Sequence, residues 1–136
     1  MALPLFACVT LTMIESPTTT VAVGVRLAPP SDGRSMFRYK FERPPSLQAD
    51  SECIARFGNK EKHLLSCLGS TFTGVAKLQS LRPSEGIWLV TSLEGTNLRS
   101  DSGIGFSVAA YIAAARAVGY KPKIKPEEMY GWVETS

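Results

Sequence analysis

The stretch that most constrains this chain runs from Glu85 to Tyr120. Ile87-Trp88-Leu89-Val90 is a short unbroken apolar run, the pattern of a strand buried on both faces. From Gly103 to Val118 the residues Ile104, Val108, Tyr111, Ile112, Ala115 and Val118 recur at helical spacing, and the many alanines favour a helix that packs closely. Gly119 suits the position after a helix end and Pro122 a stop. Between strand and helix, Leu93 to Ser102 reads as a loop rich in glycine and serine. A buried strand feeding an apolar helix is the unit of an α/β domain.

Upstream, the pattern changes to period two. Val21, Val23, Val25 and Leu27 alternate with Thr20, Ala22, Gly24 and Arg26. Leu3 to Ile14 alternates less cleanly, with Leu3, Leu5, Val9, Leu11 and Met13 on one side and Cys8, Thr10 and Thr12 on the other. That segment reads as a first strand rather than a signal peptide, because no Lys or Arg precedes it. Residues 28–34, with Pro29-Pro30, Asp32 and Gly33, form a hairpin loop, and a third strand is expected over Ser35–Arg43. The three strands are expected to pair as an antiparallel meander. A helix follows from Leu47 or Ser51, interrupted at Gly58-Asn59, and a second helical piece spans Thr73–Leu81. Lys121 to Lys125 reads as a short edge strand, and Pro126-Glu127-Glu128 as a last helical turn.

The expected fold is therefore one α/β domain over residues 1–136: a mixed sheet, opened by a three-stranded antiparallel meander and continued by helix, strand and helix. A hydrophobic content of 44% over 136 residues supplies one core. The net charge of +3 permits a nucleic-acid partner without demanding one. No segment approaches the ~20 apolar residues of a membrane helix, so no membrane partner is expected. Three cysteines do not make a disulfide framework, which points to a reducing, cytoplasmic setting. Phosphate-loop, dinucleotide-loop and nucleophile-elbow motifs are all absent.

Three groups of residues carry candidate chemistry. Arg99, Ser100, Ser102, Gly103 and Gly105 stand where a strand hands over to a helix; backbone N–H groups, a cation and small residues there suit an anion or small molecule. Arg26, Arg34, Arg38, Lys40 and Arg43 would share one outer sheet face able to track a phosphate backbone, or simply be solvated. His63 and Cys67 are four apart on a helix and, with Cys53, offer three ligands or a Cys–His pair. No fourth ligand is evident, and cysteines on an apolar helix face are commonly core residues, so no metal is assigned there.

The element order resembles the ribonuclease H-like fold. That resemblance implies acids at the end of strand one, early in the first helix and at the end of strand four, holding Mg²⁺ or Mn²⁺ for phosphodiester hydrolysis. The corresponding positions here are Glu15, Glu52 and Glu94. The end of the fourth strand carries Thr91 and Ser92, and a hydroxyl does not replace a carboxylate on a divalent ion. The resemblance thus implies a non-catalytic binding module, without cofactor, for nucleic acid or a protein partner. A divalent-metal nuclease and an anion binder over residues 94–105 are the alternatives, and a homodimer through an edge strand stays open.

Overall fold

Alternation in the first two strands is realised residue by residue. The computed structural model describes residues 5–28 and 45–135. Strand β1 spans Phe6–Met13 and β2 spans Thr20–Ala28, paired antiparallel. Their register sets Leu11 opposite Val21 and Val9 opposite Val23, so the apolar residues of both strands share one side. Val9, Leu11, Val21, Val23 and Val25 are all buried there. Each contributes roughly 1.5–3 kcal/mol of transfer free energy.

After the undescribed segment come β3 (Ser46–Ala49), helix α1 (Ser51–Phe57) and helix α2 (Lys60–Leu81). The interruption at Gly58-Asn59 is two caps in succession. Gly58 takes a left-handed φ of 86° and its N–H bonds Ile54 O, ending α1; the Asn59 side chain accepts from Lys62 N at 2.8 Å, starting α2. The two expected helical pieces on either side of Ser70 are one helix of 22 residues. Thr71 directs its hydroxyl to Cys67 O at 2.8 Å, which spares this buried side chain an unpaired polar group inside the helix.

The fourth strand is longer than its apolar run. Strand β4 covers Ile87–Leu98, so residues 93–98, expected as loop, are strand. Leu93–Thr96 pair with Thr20–Val23 of β2, Leu98 stands opposite Ala49 of β3, and Leu93 and Leu98 drop into the core. Helix α3 (Ser102–Ala117) follows, then a 3₁₀ turn at Pro126–Met129 and a short β5 (Trp132–Glu134) that pairs antiparallel with β1. The sheet order is β3-β4-β2-β1-β5, mixed because β3 alone runs parallel to its neighbour. The α/β class and the mixed sheet stand.

The meander is corrected. Both edges of β2 are occupied, by β1 and by β4, so strand two has no free edge for a third meander strand. The segment expected to supply it, residues 35–43, lies outside the described residues. Residues 121–125 join no ladder among the described residues, and β5 was not foreseen.

Helix α3 lies on the valine-bearing face of β1 and β2, and α2 packs against α3 and reaches β4 through Gln79 and Trp88. The two helices meet closely because α2 has Gly74 at the contact: a Cβ there would lie 2.0 Å from Ser107 O of α3. Alanines 109, 110, 113, 114 and 117 likewise let α3 lie close to its neighbours. No described helix is long and apolar enough to cross a membrane.

Candidate functional site

The three glutamates occupy separate settings. Glu15 sits in the turn between β1 and β2, Glu52 in the first turn of α1, and Glu94 within β4 opposite Ala22 and Ser46. Because β4 continues to Leu98, Glu94 is not at its end; the first acid beyond that end is Asp101. Among the described residues no three His, Cys, Asp or Glu groups stand where they could hold a metal ion.

The Arg99–Gly105 corner is partly closed by the protein itself. Ser102 is buried, accepts from Arg99 N at 2.8 Å and donates its own N–H to Arg99 O, which closes the turn ahead of α3, while the N-cap Asp101 makes no side-chain cap bond. A Cβ on Gly103 would lie 2.8 Å from Ser70 Oγ, and one on Gly105 would lie 2.6 Å from the Trp132 ring. The close approach that glycine permits here is used by α2 and β5. Arg99 and Ser100 face a small cavity of about 190 Å³ shared with Asp50, Glu52, Cys53 and Arg56 of the α1 corner. The sequence did not bring Arg56 to this place. Two carboxylates, Asp50 and Glu52, thus line it together with two guanidinium groups, Arg56 and Arg99.

Of the basic face only Arg26 lies in the described residues. It stands on the side of β2 away from the helices, opposite Phe6 and Leu89. Arg34, Arg38, Lys40 and Arg43 lie outside the described residues.

Cys53, His63 and Cys67 do come together, all three buried. The Cys53 thiol lies 3.4 Å from His63 Nδ1, and the Cys67 thiol 3.8 Å from His63 Nε2. The imidazole therefore bridges two thiols through its two different nitrogens, whereas one metal ion would take only one of them. Burial pushes the His63 pKa down, with Asp50 pulling it partly back. Burial pushes Cys53 up, and Cys67 up to about 12. All three groups are thus held neutral, and the thiolate that nucleophilic or metal chemistry needs is disfavoured. The arrangement ties α1 to α2.

A cavity of about 400 Å³ lies beside this corner, lined by Leu47, Ile54, His63 and Leu64 among others, and two more lie on the outer side of α3. One of about 640 Å³ is bounded by the C-terminal half of α3, residues 119–124, Met129 and Glu134. A second of about 380 Å³ lies between α2, the N-terminal half of α3 and residues 124–130. Ile124 lines both, so they flank one extended strap that crosses the helix. Ile112, Val108 and Met129 supply apolar lining. Arg116 and Glu134 form a two-pronged ion pair on the wall, at 2.6 and 2.7 Å, and Lys77 lies 4.8 Å over the Tyr111 ring. Volumes of this size are those of ligand and side-chain pockets. A signal existed in the sequence: α3 is apolar nearly all round, which is the pattern of a helix covered on two sides.

No protein-family model matches the chain, and neither a curated protein nor a solved structure does.

Proposed function

We propose that this domain is a non-catalytic binding module that engages a protein partner through the groove on the outer side of α3. One observation carries the reading: two cavities of about 640 and 380 Å³ meet at Ile124, with apolar lining and a charged rim. Ile104 and Tyr130, 44% and 66% exposed, extend the apolar surface at its open end. An apolar centre ringed by charge is the anatomy of protein recognition sites. Two of its charged groups, Arg116 and Glu134, are paired to each other.

Selection of peptides displayed on phage tests this, run against the wild type and against Ile104→Asp/Tyr130→Asp. Sequences enriched on the wild type and lost on the folded variant support the reading. Enrichment that ignores the variant moves the interaction to another surface. The nuclease alternative, drawn from the ribonuclease H-like resemblance, has its own sign: cleavage of labelled nucleic acid in Mn²⁺ that Glu15→Gln abolishes would replace the binding reading. Salt-sensitive nucleic-acid binding without cleavage would move the function to the basic residues.

A further inference from the structure

We infer that the partner contributes an extended, acidic segment that adds as a strand along residues 120–125; this rests on the protein-binding reading above. Along the strap Tyr120, Pro122 and Ile124 are half-buried and Lys121, Lys123 and Lys125 are exposed. That is the two-sided alternation of a strand. Yet no strand pairs with it: among the described residues the backbones of Lys121, Pro122, Lys123 and Ile124 make no hydrogen bond. The strap is held at its start instead, where Tyr120 N–H bonds Ala115 O and Arg82 lies 4.3 Å over the Tyr120 ring, and it runs at Lys125 into the 3₁₀ turn, whose Glu128 N–H bonds Lys125 O. A fixed, extended segment with unpaired backbone groups is a template for strand addition.

Space and charge agree on the occupant. The larger cavity runs beside Gly119 to Ile124, on the side toward Arg116 and Glu134, where alternate side chains of an added strand can enter. Six strap residues span about 20 Å, so the matching segment is about six residues long. Lys121, Lys123 and Lys125, with Lys77 across the second cavity, outnumber Glu127 and Glu128, and Arg116 is neutralised by Glu134. Acidic side chains on the outward side of the added strand would meet that lysine row. Pro122 offers no N–H, which leaves the pairing to its neighbours.

Three ten-residue peptides test this by amide chemical-shift titration of the whole chain: alternating Glu and Val, alternating Lys and Val, and the acidic peptide N-methylated at every second residue. The expected result is that the acidic peptide moves signals over 119–125 and 129–134. It should bind the wild type roughly tenfold more tightly than Lys121→Glu/Lys123→Glu/Lys125→Glu. The triple variant should prefer the basic peptide, and N-methylation should abolish binding. Equal binding of acidic and basic peptides, or binding indifferent to N-methylation, overturns the inference. If peptides taken from the phage selection move the same signals while the acidic strand does not, the strand inference falls and the binding reading survives. If no peptide of either kind moves them, both fall.

Discussion

The Cys53 thiol lies 3.4 Å from His63 Nδ1, across the corner where α1 gives way to α2. A second thiol, that of Cys67, closes on the other ring nitrogen. Both cysteines and the histidine are held neutral by burial, so this corner makes folding sensitive to pH in two directions.

The acid limb belongs to His63. Its folded pKa is pushed below the ordinary 6.5, so the unfolded chain binds the proton more readily. The stabilisation is fully present above 6.5 and is lost as pH falls toward the lower folded value. The alkaline limb belongs to the thiols, whose pKa values are raised above the ordinary 9.0, that of Cys67 to about 12. Their stabilisation is fully present below 9.0 and falls as pH climbs past it, by at most ~1.4 kcal/mol per pH unit for each thiol that titrates. Urea unfolding across pH should give a plateau from 6.5 to 9.0. His63→Phe should flatten the acid limb, and Cys67→Ala should flatten the alkaline one. Limbs unchanged in these variants would assign them to other groups.

Gly74→Ala should destabilise the fold although alanine is the better helix former. The added methyl would stand 2.0 Å from Ser107 O and 2.9 Å from Tyr111 N, both backbone atoms of α3. The gain in helix propensity is about 1 kcal/mol. Forcing two helices apart costs more, and a net loss of about 2 kcal/mol in urea midpoint analysis is expected. Gly69→Ala, where a Cβ meets nothing within 4 Å, is the control and should be neutral or stabilising.

Trp88 is buried and donates its indole N–H to Gln79 Oε1 at 3.1 Å, while Gln79 Nε2 reaches Ser84 O at 2.9 Å. Gln79→Met keeps the length and removes both groups. It strands the indole N–H and should cost about 1–3 kcal/mol. Gln79→Glu keeps the acceptor and should cost less. Equal losses for the two variants would mean that the Ser84 contact carries the stability.

The Arg116–Glu134 pair holds the outer end of β5 against α3. Its hydrogen bonds hold the Glu134 carboxyl below the ordinary 4.5, so its contribution is present above 4.5 and lost as pH falls through the lowered value. Both side chains are more than 40% exposed, and solvent reduces the coupling to roughly 0.5 kcal/mol in a double-mutant cycle. Amide exchange in Trp132–Glu134 should quicken in Glu134→Gln with little change in α3. Unaltered exchange would leave β5 held by its pairing with β1 and by Trp132 against Gly105.

What the chain carried in its own sequence is what short-range physics decides. Val21, Val23, Val25 and Leu27 alternate because a strand has period two, and they are buried as that alternation requires. Gly58-Asn59 separates α1 from α2 because a left-handed C-cap and an amide N-cap are local devices. The α/β class, the limits of α3 to within a residue and the turn at Pro126 follow in the same way. What only the tertiary structure decided depends on partners far away in the chain. Residues 93–96 are strand because β2 presents Thr20–Val23 to them, and Leu98 because Ala49 of β3 stands opposite, relations invisible in the sequence Leu93–Leu98. Glu94 is displaced from a strand end for that reason. The groove along α3 exists because a strap from 119 to 130 crosses a helix already committed to the sheet, and no period within either segment encodes that crossing. Cys53 and His63 meet because two caps fold one helix back on the next, so each residue was readable alone and their contact was not.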